Sequence, residues 1–419
     1  MNGVLTAGSG QQWESDLVSN LEQPGSPLTV VRRCADIGEV LATAATGRAR
    51  VAVVDGSLRR LDTDAVQRLR AAGVAVIGIY PAADARAQVR LERLGITALV
   101  ADDAGPAAML AAAQVAIAAI DTAGPRPGDA ADPSRAYPPP ALPTAVPASE
   151  PVAPGSLIAV WGPTGAPGRS TVALGIADAV SSAGQPTLLI DADVYGGVLA
   201  SAFGVLDESP GLAGACRLAA NGRLTPAELD QLCWSVTPTL RLLSGISRAD
   251  RWPELRPSAL PQVIAAARTL APVTVVDCGF AIEADEELSF DTLAPRRNGA
   301  TLAFLAAADR VLVVGSADPP GLERLVRALG DLQDSLPDVQ PEVVLNRVRS
   351  SVAPGWQATQ ALHRFTGLTE TAQLPEDRAA TDEAWARGVP ISVVAPKSAL
   401  RAALTTLAAA VVPVPVGPR

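Results

Sequence analysis

The first 120 residues alternate short apolar runs with longer stretches in which apolar positions recur every three or four residues. Residues 4–7, 28–31, 51–54, 74–79 and 97–100 have the length and β-branched content of strands. The stretches 13–22, 36–46, 62–72, 83–94 and 105–120 carry helical spacing. Five β/α units in a row predict a doubly wound parallel sheet. The same rhythm returns after residue 156. An apolar run from Leu157 to Trp161 enters a glycine-rich turn, and Ser170-Thr171 open an amphipathic helix ending near Gly184. A strand beginning at Leu188 ends on Asp191 and Asp193, and Tyr195-Gly196-Gly197 lead into a short helix. A region broken by Gly and Pro follows, through about residue 225. Strands are predicted at 240–243, 273–277, 310–314 and 342–346. Helices are predicted at 260–270, 301–307, 321–334, 356–366, 378–387 and 398–411. The fold class is therefore α/β, with two doubly wound parallel-sheet domains.

Between them, residues 121–155 contain ten prolines set among alanine and glycine. Such a segment has too few large apolar side chains to build a core and reads as an extended spacer. The domains expected are 1–120, a linker over 121–155, and 156–419.

The turn after Trp161 carries the chemistry. A strand feeding a glycine-rich loop and then a helix aims backbone N–H groups and a helix N-terminus at one spot, which favours phosphate. The P-loop pattern is Gly, four residues, then Gly-Lys-Ser/Thr. Gly168-Arg169-Ser170 fill its end, with arginine where lysine belongs and Pro163 at the first glycine. Three more pieces follow in order: Asp191 and Asp193; Val273 to Asp277 with Cys278-Gly279, a Walker B-like strand; and Val343-Val-Leu-Asn346-Arg347. This ordered set resembles the MinD/ParA class of P-loop ATPases, most closely the CpaE-like and septum-site-determining branch found in actinobacteria. The resemblance covers about 155–419 and, more loosely, 1–120.

The resemblance implies ATP or ADP with Mg²⁺ as cofactors and assigns roles to these positions. Gly165, Gly168, Arg169, Ser170 and Thr171 would cradle phosphate, Ser170 and Asp277 would hold Mg²⁺, and Asp191 would lie near its shell. Asp193 would position the attacking water as the catalytic carboxylate, and Asn346 would read the adenine edge. Three departures weaken the site. Arg169 keeps the charge of the missing lysine but is a wide planar fork, not a compact donor. Thr164 stands where this class carries a signature lysine reaching the partner subunit's nucleotide. Pro167 lies in the loop and has no N–H to offer. Slow or absent hydrolysis is expected.

Residues 1–120 resemble a response-regulator receiver, with Asp55 at the phosphoacceptor position. The acidic pair after the first strand is missing, since Ala7-Gly8-Ser9-Gly10 stands there, and Ala101-Asp102-Asp103 replaces the lysine after the fifth. A pseudo-receiver is expected, serving docking or dimerisation.

Composition narrows the rest. Hydrophobic residues make up 48% of the 419, but aromatics only 3%, so the positive mean hydropathy reflects small residues. No run approaches the ~18 apolar residues a spanning helix needs. The N-terminus lacks a basic stretch followed by an apolar core, so a cytoplasmic protein is expected, with any membrane contact peripheral and through a partner. Leu400, Leu404, Leu407 and Val411 form a stripe better suited to a core than to a membrane grip. The four cysteines have no Cys-x-x-Cys spacing and His363 is the only histidine, which argues against a metal cage. A net charge of −9 argues against a nucleic-acid footprint. Lys397 is the only lysine among 34 basic residues, a bias that bears directly on Arg169. The acidic run from Glu283 to Asp291, followed by Arg296-Arg297, falls in a long connection.

The function expected is a CpaE/MinD-like spatial regulator of septum placement or of Flp/Tad-type pilus assembly. Its partners would be proteins of the division or pilus machinery, with a homodimer as a further assembly. An active dimerising ATPase and a ParA-like binder of nonspecific DNA stay open beside it.

Overall fold

The computed structural model describes residues 2–8, 10–23, 26, 28–123, 154–165, 168–205, 211–283, 295–349, 355–368 and 371–412. Most of the proline-rich linker, Ser9, Ala166, Pro167 and the acidic positions 284–291 lie outside them. The chain divides into two compact units, Met1–Ala136 with Arg217–Arg223, and Tyr137–Cys216 with Leu224–Arg419.

The first unit runs β1 (Asn2–Ala7), α1 (Gln12–Leu21), β2 (Leu28–Arg33), α2 (Ile37–Ala44) and β3 (Val51–Asp55). It continues α3 (Thr63–Ala71), β4 (Ala75–Tyr80), α4 (Ala85–Arg93), β5 (Ala98–Ala101) and α5 (Gly105–Ala123). All strand pairs are parallel, in the order β2-β1-β3-β4-β5. This is one of the common doubly wound orders, with helices on both faces. Ile37, Val40, Ala65, Leu69 and Leu91 pack one face, while Trp13, Leu17, Met109, Ala113 and Ile117 cover the other. Helix starts follow local chemistry: Asp36, Asp62 and Asp84 each accept a backbone N–H of the first turn.

The second unit opens with β6 (Ser156–Trp161), α6 (Arg169–Ser182), β7 (Thr187–Ala192), α7 (Leu199–Ala202), α8 (Gly211–Ala220, whose residues from Arg217 on group with the first unit) and α9 (Pro226–Gln231). Then come β8 (Trp234–Thr237), β9 (Leu240–Leu243), α10 (Leu260–Leu270), β10 (Val273–Cys278), α11 (Gly299–Ala307) and β11 (Arg310–Ser316). It closes with α12 (Pro319–Ser335), β12 (Pro341–Val348), α13 (Gly355–Thr366), β13 (Thr371–Pro375), α14 (Arg378–Arg387), α15 (Ile391–Val394) and α16 (Ala399–Val411). The sheet order is β13-β12-β11-β6-β10-β7-β9-β8, parallel throughout except for the β8·β9 pair.

Four expectations are corrected here. The helix α6 is not amphipathic: Val172 to Asp178, Val180 and Ser181 are all buried, so it is enclosed on nearly every side. A Cβ on Gly175 would stand 2.5 Å from Leu404 Cδ1, which shows how closely α16 lies on it. The region up to residue 225 is not merely broken, since α8 forms within it and α9 follows. Glycines had masked α8, whereas Thr225 caps α9, its Oγ1 accepting from Glu228 N at 3.1 Å. Third, the edge strands β8 and β13 were not expected, being short and weakly apolar. Last, the second sheet is not purely parallel, because the short turn between β8 and β9 allows only an antiparallel return.

The stripe of Leu400, Leu404, Leu407 and Val411 is buried in the core beside Val172, Ile176 and Leu374. Asp178, 6% exposed, accepts from Ser392 N and Oγ at 3.2 and 2.7 Å, fixing the start of α15 against α6. Asp309 Oδ2 accepts from Leu157 N at 2.7 Å and from Arg268 at 2.7 Å, which anchors the first residues of β6.

Candidate functional site

Parallel strands place all their carboxyl ends on one edge of the sheet, and there the loops of an open α/β fold meet. Loop 162–168 leaves β6 at the centre of the sheet. The chain first moves to β7 on one side and later returns to β11 on the other. Pairing of β10 with both β6 and β7 sets Asp277 opposite Val160 and opposite Asp191. Pairing of β11 with β12 sets Ser316 opposite Asn346. The candidate residues, far apart in sequence, therefore share one edge.

The described residues of the loop have a backbone that could receive a phosphate. Gly165 and Gly168 take φ of 67° and 97°, a left-handed conformation that side chains resist. Gly168 caps α6 without any side-chain hydrogen bond, so the first N–H groups of that helix face the loop unoccupied by a cap. A Cβ on Gly168 would also stand 2.1 Å from Asn346 Nδ2, so the Asn346 side chain, 6% exposed, lies directly against the loop. Ser170 and Thr171 are half-buried in the first turn.

Arg169 points back into the loop. Its Nη1 donates to the carbonyls of Gly162 and Pro163, both at 3.3 Å, and its Nη2 to Asp193 Oδ2 at 3.2 Å. Its guanidinium also lies 5.9 Å from the centre of the Phe280 ring. The other Asp193 oxygen accepts from Tyr195 N at 2.9 Å and Gly196 N at 3.2 Å, an Asx-type turn just beyond β7.

Two carboxyls beneath are nearly sealed from solvent. Asp191 accepts from Asp193 N at 3.2 Å and Leu199 N at 3.1 Å. Burial pushes its carboxyl up to about 7, against the pull of the Leu199 N–H. Gly197 and Gly245 let the chain pass so close that a Cβ on either would fall within 3.1 Å of the Asp191 carboxyl group. Asp277 is 1% exposed, and neither of its oxygens meets a donor in hydrogen-bond geometry. Burial holds it well above the usual carboxylate range and the charge of Asp191 adds to this, while the nearby Ser170 hydroxyl and Arg169 charge act in the opposite sense.

A buried carboxyl whose oxygens meet no donor in good geometry either keeps its proton or is satisfied as a carboxylate by something outside the chain. The water shell of a Mg²⁺ ion would do so, with Ser170 supplying a hydroxyl and a nucleotide supplying phosphate oxygens. The residues present fit a Mg²⁺–nucleotide, while the Arg169–Asp193 ion pair occupies two groups that such a ligand would engage. Among the described residues no cluster of three or more His, Cys, Asp or Glu could hold a metal by itself. A surface depression of about 450 Å³ lies elsewhere, lined by Trp356, Thr359, Gln360, His363 and Gln373, and brings none of these site residues together.

Sequence reasoning missed the aromatic shelf beside the loop. Phe280 packs on Tyr195 with ring centres 4.6 Å apart, and the Arg297 guanidinium sits 4.1 Å over the Tyr195 ring. Tyr195 Oη donates to Asn298 Oδ1 at 2.7 Å, joining the segment after β7 to the start of α11. Arg324 was missed as well: its guanidinium carbon would lie 3.3 Å from a Cβ on Gly165. Phe280 follows the Walker B-like glycine and could have been found from that alone.

In the first unit, Asp55 is 5% exposed at the end of β3. Its Oδ1 accepts from Ser57 N at 2.7 Å and from the Ser57 hydroxyl, and its Oδ2 from Trp13 Nε1 at 3.4 Å. Asp102, after β5, accepts from Ala82 N at 3.0 Å. Glu14 binds Thr6 Oγ1 at 2.7 Å and Arg33 at 3.3 Å.

No family model and no curated protein matches the sequence. Solved structures do match. A ParA family ATPase from Chlorobium tepidum TLS is 20% identical, covering 61% of this chain and 98% of its own, at a TM-score of 0.51. The cell division ATPase MinD of Pyrococcus furiosus is 19% identical over 61% of this chain and 97% of its own, at 0.48. The septum site-determining protein MinD of Pyrococcus horikoshii OT3, complexed with Mg-ADP, is 18% identical over 61% and 96%, at 0.47. A 61% share exceeds what the first unit could supply, so the match rests chiefly on the second. At such identities the likeness is one of architecture: the second unit shares the α/β fold, built on a largely parallel sheet, of the Chlorobium ParA family ATPase.

Proposed function

We propose that the second unit binds Mg²⁺–nucleotide at loop 162–171 and turns it over slowly or not at all. In this reading the protein is a CpaE/MinD-like spatial regulator of septum placement or of Flp/Tad-type pilus assembly. The carrying observation is the pairing of Arg169 with Asp193 beside the unpartnered Asp277 carboxylate. The buried Asp277 calls for a cation, which supports binding. Arg169 is held by the carbonyls of Gly162 and Pro163 and by the carboxylate that would position water, which speaks against efficient hydrolysis. Thr164 brings no charge to a partner subunit's site. Asn346, lying against Gly168, would couple the loop to the adenine.

Domain roles follow the same reading. The first unit acts as a pseudo-receiver, because both Asp55 oxygens are already engaged and no lysine follows β5. It would dock a protein partner or a second copy. No described helix is long and apolar enough to cross a membrane; in this reading any membrane contact would be peripheral, through a partner.

The test is equilibrium binding of Mg·ATP and Mg·ADP to the purified full chain, with steady-state phosphate release measured alongside. Binding with turnover far below 1 s⁻¹ is expected. Brisk turnover that rises with protein concentration would favour the active dimerising ATPase, for which Asp193 and Asp277 are present. Micromolar binding to nonspecific DNA with a steep salt slope would favour the ParA-like reading, against the net charge of −9.

A further inference from the structure

Thr164 leaves the outer arm of the loop without the cation this class of site relies on, yet a cation stands there. Arg324 lies in the second turn of α12 and reaches across to the loop. A Cβ on Gly165 would come within 3.3 Å of its Cζ, 3.4 Å of one Nη and 3.6 Å of its Nε. This placement follows from how α12 is seated. A Cβ on Gly315 would fall 2.5 Å from Leu325 Cδ2, and one on Gly321 2.5 Å from Ser316 Cβ, so the helix sits on the end of β11 with no room to slide. Asp318 caps the helix by accepting from Gly321 N at 2.9 Å, which sets its direction. Leu325, buried beneath, points Arg324 outward and over Gly165.

The residue is exposed, and no hydrogen bond or ion pair joins its guanidinium to any described residue; Asp318 lies near enough to feel its charge, although that carboxyl is lowered first by the Ser316 hydroxyl and only in smaller part by Arg324. Its planar set of N–H donors is therefore available to an anion arriving at the loop. Gly165 is exposed too and has no side chain to stand between them.

We propose that Arg324 is a phosphate ligand of this site, a cation supplied from within the same chain where Thr164 brings none. The proposal rests on the nucleotide-binding reading and deepens it: the polyphosphate would be held between the α6 N-terminus on one side and the Arg324 guanidinium on the other. A site completed in this way retains its polyphosphate without a second subunit.

The experiment uses the full chain, a fluorescent ATP analogue with Mg²⁺, and competition by ATP, ADP and inorganic tripolyphosphate. A charge-assisted hydrogen bond is worth enough that Arg324→Ala and Arg324→Gln should weaken ATP and tripolyphosphate about 10- to 100-fold. The loss should be smaller for ADP, and the salt dependence of binding should become shallower. Arg324→Lys should recover part of the affinity, which a purely structural role would not explain. The wild-type affinity should be the same across a protein concentration series. Unchanged affinity in Arg324→Ala and Arg324→Gln, with binding still abolished by Gly168→Val, would overturn the role of Arg324 and leave the nucleotide site standing. Failure of the wild type to bind any of the three ligands would overturn both.

Discussion

Arg169 Nη2 and Asp193 Oδ2 lie 3.2 Å apart, an ion pair between the two residues that the proposed reading assigns to phosphate and to the attacking water. Their side chains are only 15% and 7% exposed, so the pair is shielded from the screening that makes surface pairs weak. The two carbonyls bound by Nη1 hold the guanidinium in the same orientation. Lysine carries its donors on a single nitrogen, whereas these three contacts are spread over two nitrogens of the guanidinium fork.

Restoring the loop should therefore be measurable. Arg169→Lys should tighten Mg·ATP about tenfold by giving up the carbonyl contacts for a compact donor to phosphate. Thr164→Lys should act only where two subunits meet, so its effect should grow with protein concentration. The double variant should raise phosphate release about tenfold or more, because a cationic clamp on the transferred group can be worth far more than that. Steady-state phosphate release across a concentration series is the measurement. Vigorous wild-type hydrolysis that falls in Arg169→Lys would make Arg169 a working substitute and end the degenerate-site reading.

Gly168→Ala should destabilise the second unit through two separable effects. The left-handed φ of 97° costs a side-chain-bearing residue about 1–2 kcal/mol. A second cost comes from the new Cβ meeting the Asn346 amide. In an Asn346→Ala background only the first should remain. Urea denaturation of the four proteins in this cycle separates them. Equal losses in both backgrounds would mean that Asn346 does not press on the loop.

Asp55 should resist phosphorylation. Incubation with acetyl phosphate and Mg²⁺ should leave the intact mass unchanged, because Ser57 and Trp13 already occupy its oxygens. Trp13→Ala frees one oxygen, yet no adduct should form without a cation site to help. An adduct that disappears in Asp55→Ala would restore a working receiver.

Thiol chemistry offers a pH test. Burial, with the charge of Glu39 next, pushes the Cys34 thiol up to about 11. Burial, with the charge of Asp230 next, pushes Cys233 up to about 12. Both folded thiols keep protons that unfolded ones lose near pH 8.5. Their contribution to stability is therefore complete below that pH and is lost as pH rises toward 11–12. Iodoacetamide at pH 8 should label neither in the native protein while labelling both in urea. Rapid native labelling of Cys233 would contradict its placement against the Leu229 carbonyl.

Much of this molecule was legible in local pattern. The strand-forming runs of the first unit became β1 to β5 within a few residues, because a parallel strand buried on both faces must be almost wholly apolar. The glycines of the loop were readable for a similar reason, since left-handed φ values at 165 and 168 admit little else. The order of Gly168-Arg169-Ser170, Asp191, Asp193, Asp277 and Asn346 along the chain also pointed to a shared edge of the sheet. Parallel strands deliver every carboxyl end to the same edge, whatever lies between them.

What sequence could not say was where side chains turn once they arrive. Arg169 was expected to face phosphate, and its direction was decided by carbonyls at 162 and 163 and by a carboxylate 24 residues away. The antiparallel edge β8 and the strand β13 depend on pairing with a sheet already built, so their short segments carried too little signal. Enclosure of α6 came from α16, more than 200 positions later, whose Leu404 presses on Gly175. Arg324 has no motif at all. It reaches the loop only because Leu325 and Gly315 seat α12 on β11, a contact that exists nowhere but in three dimensions.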